Sequence, residues 1–376
     1  MKQPTLCVIF EAIGSYNAIG KIAMDGVRVA LDAGYKVTVV AQRLDESLHD
    51  RVEWLKLYVP PHLFYVKWVT ARHFMLKALG GRTFDIVHAH QPQAAFMSDV
   101  YDCQFITRVA FERNCFEARP GLKASVMRMQ EHGVLRAEDR FYKSWNPRTR
   151  MLFCSDLVRR EFTRLYGAPP RHEVLYNVMP PMRIPSAEER REARIRFIGH
   201  DHSGPVLGYI GGVNERKGYR PLIEGLKGKP TDSDVFFLMG GNETAGYEIP
   251  ALEGRYKTVG LVQDTAAFYA ACDVFAVPSY FDPCPLVVFE AAARGLPVIA
   301  TEGVGNLHAL TTHSAGVEWT PGEPLTPVVH ALVNDRERYQ EGARSMAEAY
   351  SYERNEKRLL EIYEDVLREK REGNPV

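Results

Sequence analysis

Short apolar runs alternate with longer amphipathic stretches along the whole chain. Residues 6–10 form an apolar β run, residues 19–33 a helix stopped by Gly34, and residues 36–41 the next strand. Residues 84–89 predict another strand, which closes on His88 and His90. Residues 151–155 follow, with Ser155 placed to cap a helix over residues 156–166. Strands that are apolar at every position are buried on both faces. Repeated βα units of this kind predict a parallel sheet covered by helices on both sides.

The rhythm breaks over residues 168–204. Pro169, Pro170, Pro180, Pro181 and Pro185 precede a charged segment over residues 188–196, and the whole stretch reads as a linker. A second series then begins. Residues 206–210 end in Gly211 and Gly212, and residues 235–239 end in Gly240 and Gly241. Strands are predicted at 259–262, 274–277 and 298–300, and helices at 221–228, 265–271 and 287–294. Residues 352–372 read as a long polar amphipathic helix. Its apolar face carries Tyr352, Leu359, Leu360, Ile362, Tyr363 and Leu367. Two tandem doubly wound α/β domains are expected, over 1–180 and 181–355, with a helix at 356–376 crossing back to the first. In such folds ligands gather at the carboxyl ends of strands, so loops that follow strands are where chemistry is expected.

Composition narrows the function classes. A chain of 376 residues with 45% hydrophobic content is long enough for two cores. Lysine plus arginine and aspartate plus glutamate both total 47, so no net charge points to a nucleic-acid binder. Mean hydropathy is −0.25, and no apolar run approaches the ~18 residues of a membrane span. Glu11 cuts off the apolar N-terminus too early for a secretory leader, so a cytoplasmic protein is expected. Six scattered cysteines without a C-x-x-C pair read as reduced, mostly buried thiols, with no structural zinc site.

Two loops carry candidate chemistry. The first, residues 211–218, reads Gly-Gly-Val-Asn-Glu-Arg-Lys-Gly between a strand and a helix. Glycines allow close approach of a ligand, and Arg216 and Lys217 bring two full charges suited to a diphosphate and its departure. A solvated turn with two surface cations is the plain alternative. The motif is neither G-x-G-x-x-G nor a Walker A sequence, so nicotinamide and P-loop chemistry are not supported. In the second loop, Asp282 precedes the helix that holds Glu290, with seven residues between them. A carboxylate there can accept bonds from two sugar hydroxyls, and helix-start N–H groups can face phosphate or sugar oxygens. The alternative is a loop-capping Glu290 and an ordinary turn aspartate.

From Asp282 through Thr301, which includes Gly-Leu-Pro-Val at 295–298, the sequence resembles the signature of the retaining, nucleotide-sugar-dependent glycosyltransferases of family 4 (glycosyl transferases group 1). The likeness extends through Asp273 to Ser279 and to the Lys-Gly loop at 211–218. It is weaker in the first half, where Asp85 to His90 is similar to that family's His-x-His strand. The resemblance implies a GT-B fold, two Rossmann-like domains facing across a cleft, and a nucleotide diphosphate sugar (UDP-linked) as donor. It implies that Glu290 binds the ribose, that Asp282 touches the donor sugar, and that the backbone of Cys284, Leu286 and Val287 lines sugar and phosphates. Gly212 and Gly241 would line the donor, and Lys217 would hold the diphosphate. Asp282 stands where the family has glutamate, Pro285 where it often has glycine, and Gly212 where it has arginine. Arg216 would take over the arginine's role, as in the lipopolysaccharide-core glucosyltransferase branch.

In that same branch, the segment around Asp102 resembles one with an aspartate in place of a catalytic-site histidine. Asp102 is therefore the acceptor-side candidate, with Asp99, His88, His90, Gly14 and Gly20 as further candidates. No Asp-x-Asp metal motif is apparent in a suitable loop, so neither a metal nor a cofactor is expected. The arginine- and aromatic-rich residues 111–143 suit peripheral contact with the inner membrane or an acceptor-side insertion of mixed charge. A glycan, lipid-linked or small-molecule acceptor is implied. A nucleotide-sugar epimerase and a non-catalytic nucleotide-sugar-binding or scaffold protein are the competing readings.

Overall fold

The computed structural model describes residues 3–58, 64–113, 122–227 and 235–372. These divide into two compact units. One comprises the described residues up to Val109, those of 122–177, and Glu353 onward; the other comprises the described residues of 110–117 and Val178–Tyr352.

The first unit is built on strands β1 (Thr5–Ile9), β2 (Ala12–Ile13), β3 (Lys36–Ala41), β4 (Arg43–Leu44), β5 (Glu53–Lys56), β6 (Ile86–Ala89), β7 (Val100–Cys103), β8 (Arg150–Phe153) and β9 (His172–Val174). Seven of them form one sheet in the order β5-β3-β1-β6-β7-β8-β9, and β2 pairs separately with β4. The pairings within the large sheet are parallel, with Leu6 opposite Ile86 and Val8 opposite His88. The strand order reverses between β1 and β6, which opens a crevice at their carboxyl ends.

The helix Ala18–Asp32 starts where Asn17 Oδ1 accepts from the Gly20 N–H at 2.7 Å. Gly20 therefore lies in the first helical turn, while Gly14 is in the loop that follows β2. Ser155 caps the helix Asp156–Tyr166 through the Val158 N–H, as its sequence position predicts.

The C-terminal helix, Tyr352–Arg371, buries Leu359, Ile362, Tyr363 and Val366 in the first unit's core beside Leu6, Val8, Val27 and Val39. Burial of each such side chain contributes about 1.5–3 kcal/mol. Arg150 pairs with Asp365 and Glu369, and Arg358 with Glu173, which sets the helix's register on the sheet. Tyr352 is exposed and falls off the buried face.

The second unit has β10 (Val206–Ile210), β11 (Phe236–Gly240), β12 (Tyr256–Thr258), β13 (Val274–Val277), β14 (Val298–Ala300) and β15 (Gly316–Glu318). They form a parallel sheet in the order β12-β11-β10-β13-β14-β15, with the reversal between β10 and β13. Its core joins Leu207, Tyr209, Phe237, Val274 and Ile299 to Leu222, Trp319 and Leu332.

Two expectations are corrected here. The charged stretch expected as linker is the helix Ala187–Ile198, opened by a reciprocal Ser186–Glu189 capping box. It is charged because Arg190 and Arg194 both reach the buried Asp273, at 2.5 and 2.6 Å. The strand expected at 259–262 lies earlier, at β12, because Gly260 at φ +72° turns the chain out of the sheet.

In the helix Leu122–Lys143, Phe141 and Tyr142 are buried, so neither aromatic is available to a membrane surface. Cys115, Phe116, Arg119 and Gly228 lie outside the described residues, as do the side chains of Lys123 and Arg128. Cys7, Cys103, Cys154, Cys272 and Cys284 are buried and form no disulfide among the described residues. Among the described residues no helix is long and apolar enough to cross a membrane.

Candidate functional site

In the second unit the loops after β10, β11, β13 and β14 meet at the carboxyl edge of the sheet, around the strand-order reversal. Gly212 follows β10 at φ +71°, and a Cβ there would stand 2.6 Å from the Asn242 carbonyl oxygen. Gly241 follows β11, and a Cβ there would stand 2.5 Å from the Gly212 nitrogen. Only glycine lets these two turns pack backbone to backbone.

The cation loop then makes a single 3-10 turn, Glu215–Lys217, with Asn214 Oδ1 accepting from the Arg216 N–H. It is tied to the loop after β13 in both directions. The Tyr280 N–H donates to the Arg216 carbonyl at 3.0 Å, and Arg216 Nη1 donates to the Phe281 carbonyl at 3.0 Å. Lys217 Nζ lies 2.5 Å from Asp282 Oδ2. The Asp282 side chain is 11% exposed and that of Lys217 25%, so the pair is only partly screened by water.

The Asp282 backbone is pinned on its far side. Its N–H donates to the Gly303 carbonyl and its own carbonyl accepts from the Gly305 N–H. The loop next reaches buried Cys284 and enters the helix Leu286–Ala293, where Leu286 and Val287 form the first turn behind Pro285 without a side-chain cap. Glu290 lies one turn further, and its Oε2 accepts from Tyr269 Oη at 2.9 Å. Burial, with the Glu290 charge beside it, pushes the Tyr269 phenol well up, so it stays protonated and donates. Lys217, Arg216, Asp282, Glu290, Gly212 and Gly241 thus stand on loops of one sheet edge. They supply two cations for an anion and two carboxylates for hydroxyl groups.

A second cluster lies at the reversal in the first unit's sheet. His88 closes toward the end of β6, His90 follows it, and Asp102 is on β7. All three are buried. His88 Nδ1 hydrogen-bonds Tyr363 Oη at 2.7 Å, and burial with His90 alongside holds His88 well below the usual histidine range. His90 Nδ1 lies 3.2 Å from Asp102 Oδ2, while Asp102 Oδ1 accepts from Gln104 Nε2 at 2.8 Å. Asp99 is committed elsewhere, to the Val87 N–H and to Lys370 Nζ, each at 2.8 Å. Gly14 donates its N–H to the Gly20 carbonyl and closes the short loop after β2.

Sequence reasoning missed Tyr269, Tyr363 and Gln104, which orient Glu290, His88 and Asp102. A tyrosine hydroxyl among the apolar residues 266–271 of the helix Thr265–Ala271 is the one local signal for the first. Tyr363 reads as ordinary core, and its partner is 275 residues away.

Residues 204–333 match a protein-family model described as glycosyl transferases group 1. A D-inositol 3-phosphate glycosyltransferase of Xylanimonas cellulosilytica is 30% identical over 227 residues, covering 55% of this chain and 54% of that protein. The chain spans about half the length of the first curated relatives it matches. Among solved structures, WaaG, a glycosyltransferase involved in lipopolysaccharide biosynthesis, has a TM-score of 0.70 at 17% identity, covering 95% of this chain and 99% of WaaG. Anabaena HepE in complex with UDP-glucose has a TM-score of 0.68 at 16% identity, covering 96% and 100%. The fold shared with these proteins is GT-B, with two Rossmann-like α/β domains.

Proposed function

We propose that the chain, whose residues 204–333 match the glycosyl transferases group 1 model, transfers a hexose from a nucleotide diphosphate sugar, UDP-linked, to an acceptor hydroxyl with retention at the sugar carbon. The acceptor is a glycan, a lipid-linked glycan or a small molecule. The observation that carries this reading is the Lys217–Asp282 pair on two cross-tied loops, on the same sheet edge as a Glu290 held by Tyr269.

Glu290 takes the ribose hydroxyls, and Arg216 and Lys217 take the diphosphate. When the donor enters, the diphosphate shares Lys217 with Asp282, and Asp282 turns toward the sugar hydroxyls. The bond from the sugar carbon to the β-phosphate oxygen breaks, and the electron pair leaves with the nucleoside diphosphate. A bond forms from the acceptor oxygen to that carbon on the face just vacated, and the acceptor proton passes to the departing phosphate. Two fixed cations stabilise the leaving charge, which removes the need for a metal at the diphosphate. Asp102 is the acceptor-side polar residue of this scheme.

The test is a panel of nucleotide sugars in which release of nucleoside diphosphate is followed for wild type, Glu290→Ala and Lys217→Ala. One donor is expected to be slowly cleaved, with Lys217→Ala lowering the rate by about 100- to 1,000-fold. Absence of nucleotide binding by calorimetry, with no donor cleaved, would overturn the site assignment in favour of a non-catalytic protein. Donor isomerised without acceptor would point to an epimerase.

A further inference from the structure

Three buried ligand groups in the first unit converge with more nitrogen valence than the protein satisfies. His88, His90 and Asp102 are 2%, 5% and 7% exposed. One donor atom from each lies within 4.8 Å of the others. His88 Nε2 and both ring nitrogens of His90 are buried without an aligned hydrogen bond, although His90 Nδ1 stands 3.2 Å from Asp102 Oδ2. The two imidazoles lie 4.4 Å apart between centroids, at 30°. Buried polar atoms left in this state cost free energy, and three in one cluster need an explanation.

A packed core histidine would normally use its nitrogens on backbone or side-chain oxygens. Here the outer atoms of His88 and Asp102 are engaged while their inner ones stay open, and His90 is held by neither ring nitrogen. The Tyr363 hydroxyl holds His88 Nδ1, which leaves Nε2 facing inward. Gln104 holds Asp102 Oδ1, which leaves Oδ2 toward His90. Outer hydrogen bonds of this kind, here on two of the three ligands, orient the ligands around bound metal ions.

We infer that His88, His90 and Asp102 form a binding site for a divalent transition metal of the zinc class. Two imidazoles and one carboxylate suit such an ion, and three protein ligands leave a fourth position for water. Ligand atoms around a tetrahedral zinc are about 3.4 Å apart, so closing the site takes a movement of roughly 1 Å. No local motif announces this site, because its three residues come from the ends of two different strands. The site stands independently of the donor chemistry proposed above.

The test uses the full chain, stripped with a chelator and titrated with Co2+ and then Zn2+. Wild type is expected to bind one Co2+ per chain, with the visible absorption of a low-coordinate ion, and to release it to Zn2+. His90→Gln should lose the absorption. Tyr363→Phe keeps all three ligands and should weaken affinity by about 10- to 100-fold. Circular dichroism of the metal-free proteins reports whether each variant folds. No Co2+ absorption in wild type, or equal binding in wild type and either folded variant, overturns the site. If His90→Gln does not fold, Tyr363→Phe decides.

Discussion

Replacing Gly218 by alanine tests whether the cation loop is positioned by backbone contact. Gly218 ends the Glu215–Lys217 turn at φ +70°. A Cβ there would lie 1.9 Å from the Pro278 carbonyl oxygen and 2.8 Å from its carbon. Both atoms are backbone, so no change of rotamer relieves the clash. The left-handed conformation costs a non-glycine residue roughly 1–2 kcal/mol. Forcing the backbone aside adds about 1–3 kcal/mol, for a sum of about 2–5 kcal/mol.

The Cβ is roughly 1.5 Å short of ordinary contact. Moving the adjacent Lys217 by that much would undo its 2.5 Å approach to Asp282. A displacement of about 1 Å at a reacting centre can cost about 100-fold in rate. The assay is nucleoside diphosphate release, with urea unfolding alongside, for Gly218→Ala and Gly218→Asn. Asparagine tolerates the left-handed region but still carries a Cβ, so it should stay close to alanine in both measurements. Gly218→Ala with wild-type midpoint and turnover, or full rescue by asparagine, would refute the reasoning.

Two further outcomes follow from buried groups. Tyr269→Phe removes the hydroxyl 2.9 Å from Glu290 Oε2 while keeping the ring; nucleotide affinity should fall by about 1 kcal/mol, roughly fivefold, and calorimetry showing no change would separate Glu290 from the nucleotide. Glu138 is fully buried, receives the Thr107 and Arg108 N–H groups, and is pushed up by burial from 4.5 to about 7. Between those values the folded chain keeps a proton that the unfolded chain releases, so stability falls as pH rises through the window. Above pH 7 the buried charge costs about 3 kcal/mol. Glu138→Gln should flatten this slope in urea midpoints taken from pH 5 to 8, and parallel profiles would contradict it.

Much of the second unit's candidate site was legible because its signals are local. Gly211-Gly212 and Gly240-Gly241 mark strand ends, and Arg216 and Lys217 stand together in one loop. Asp282 and Glu290 share one loop-helix segment. The charge of the helix Ala187–Ile198 looks like solvation in the sequence, whereas Arg190 and Arg194 serve an aspartate 83 and 79 residues on. The histidine cluster was legible only as a pair on a strand. Its orphaned nitrogens and the Tyr363 contact exist only once β6, β7 and the C-terminal helix are packed together.

What the sequence determined by itself is the alternation of strands and helices, their parallel arrangement, and the loops that meet at the sheet edge, though not the helix Ala187–Ile198 or the position of β12. These depend on period, caps and glycine positions, which act over a few residues. The tertiary structure decided which charges meet. Lys217 and Asp282 are 65 residues apart, Tyr269 and Glu290 are 21 apart, and His88 and Tyr363 are 275 apart. No local pattern encodes such pairs, because hydrogen bonds and ion pairs act over a few ångströms and depend on strand order and burial rather than distance along the chain.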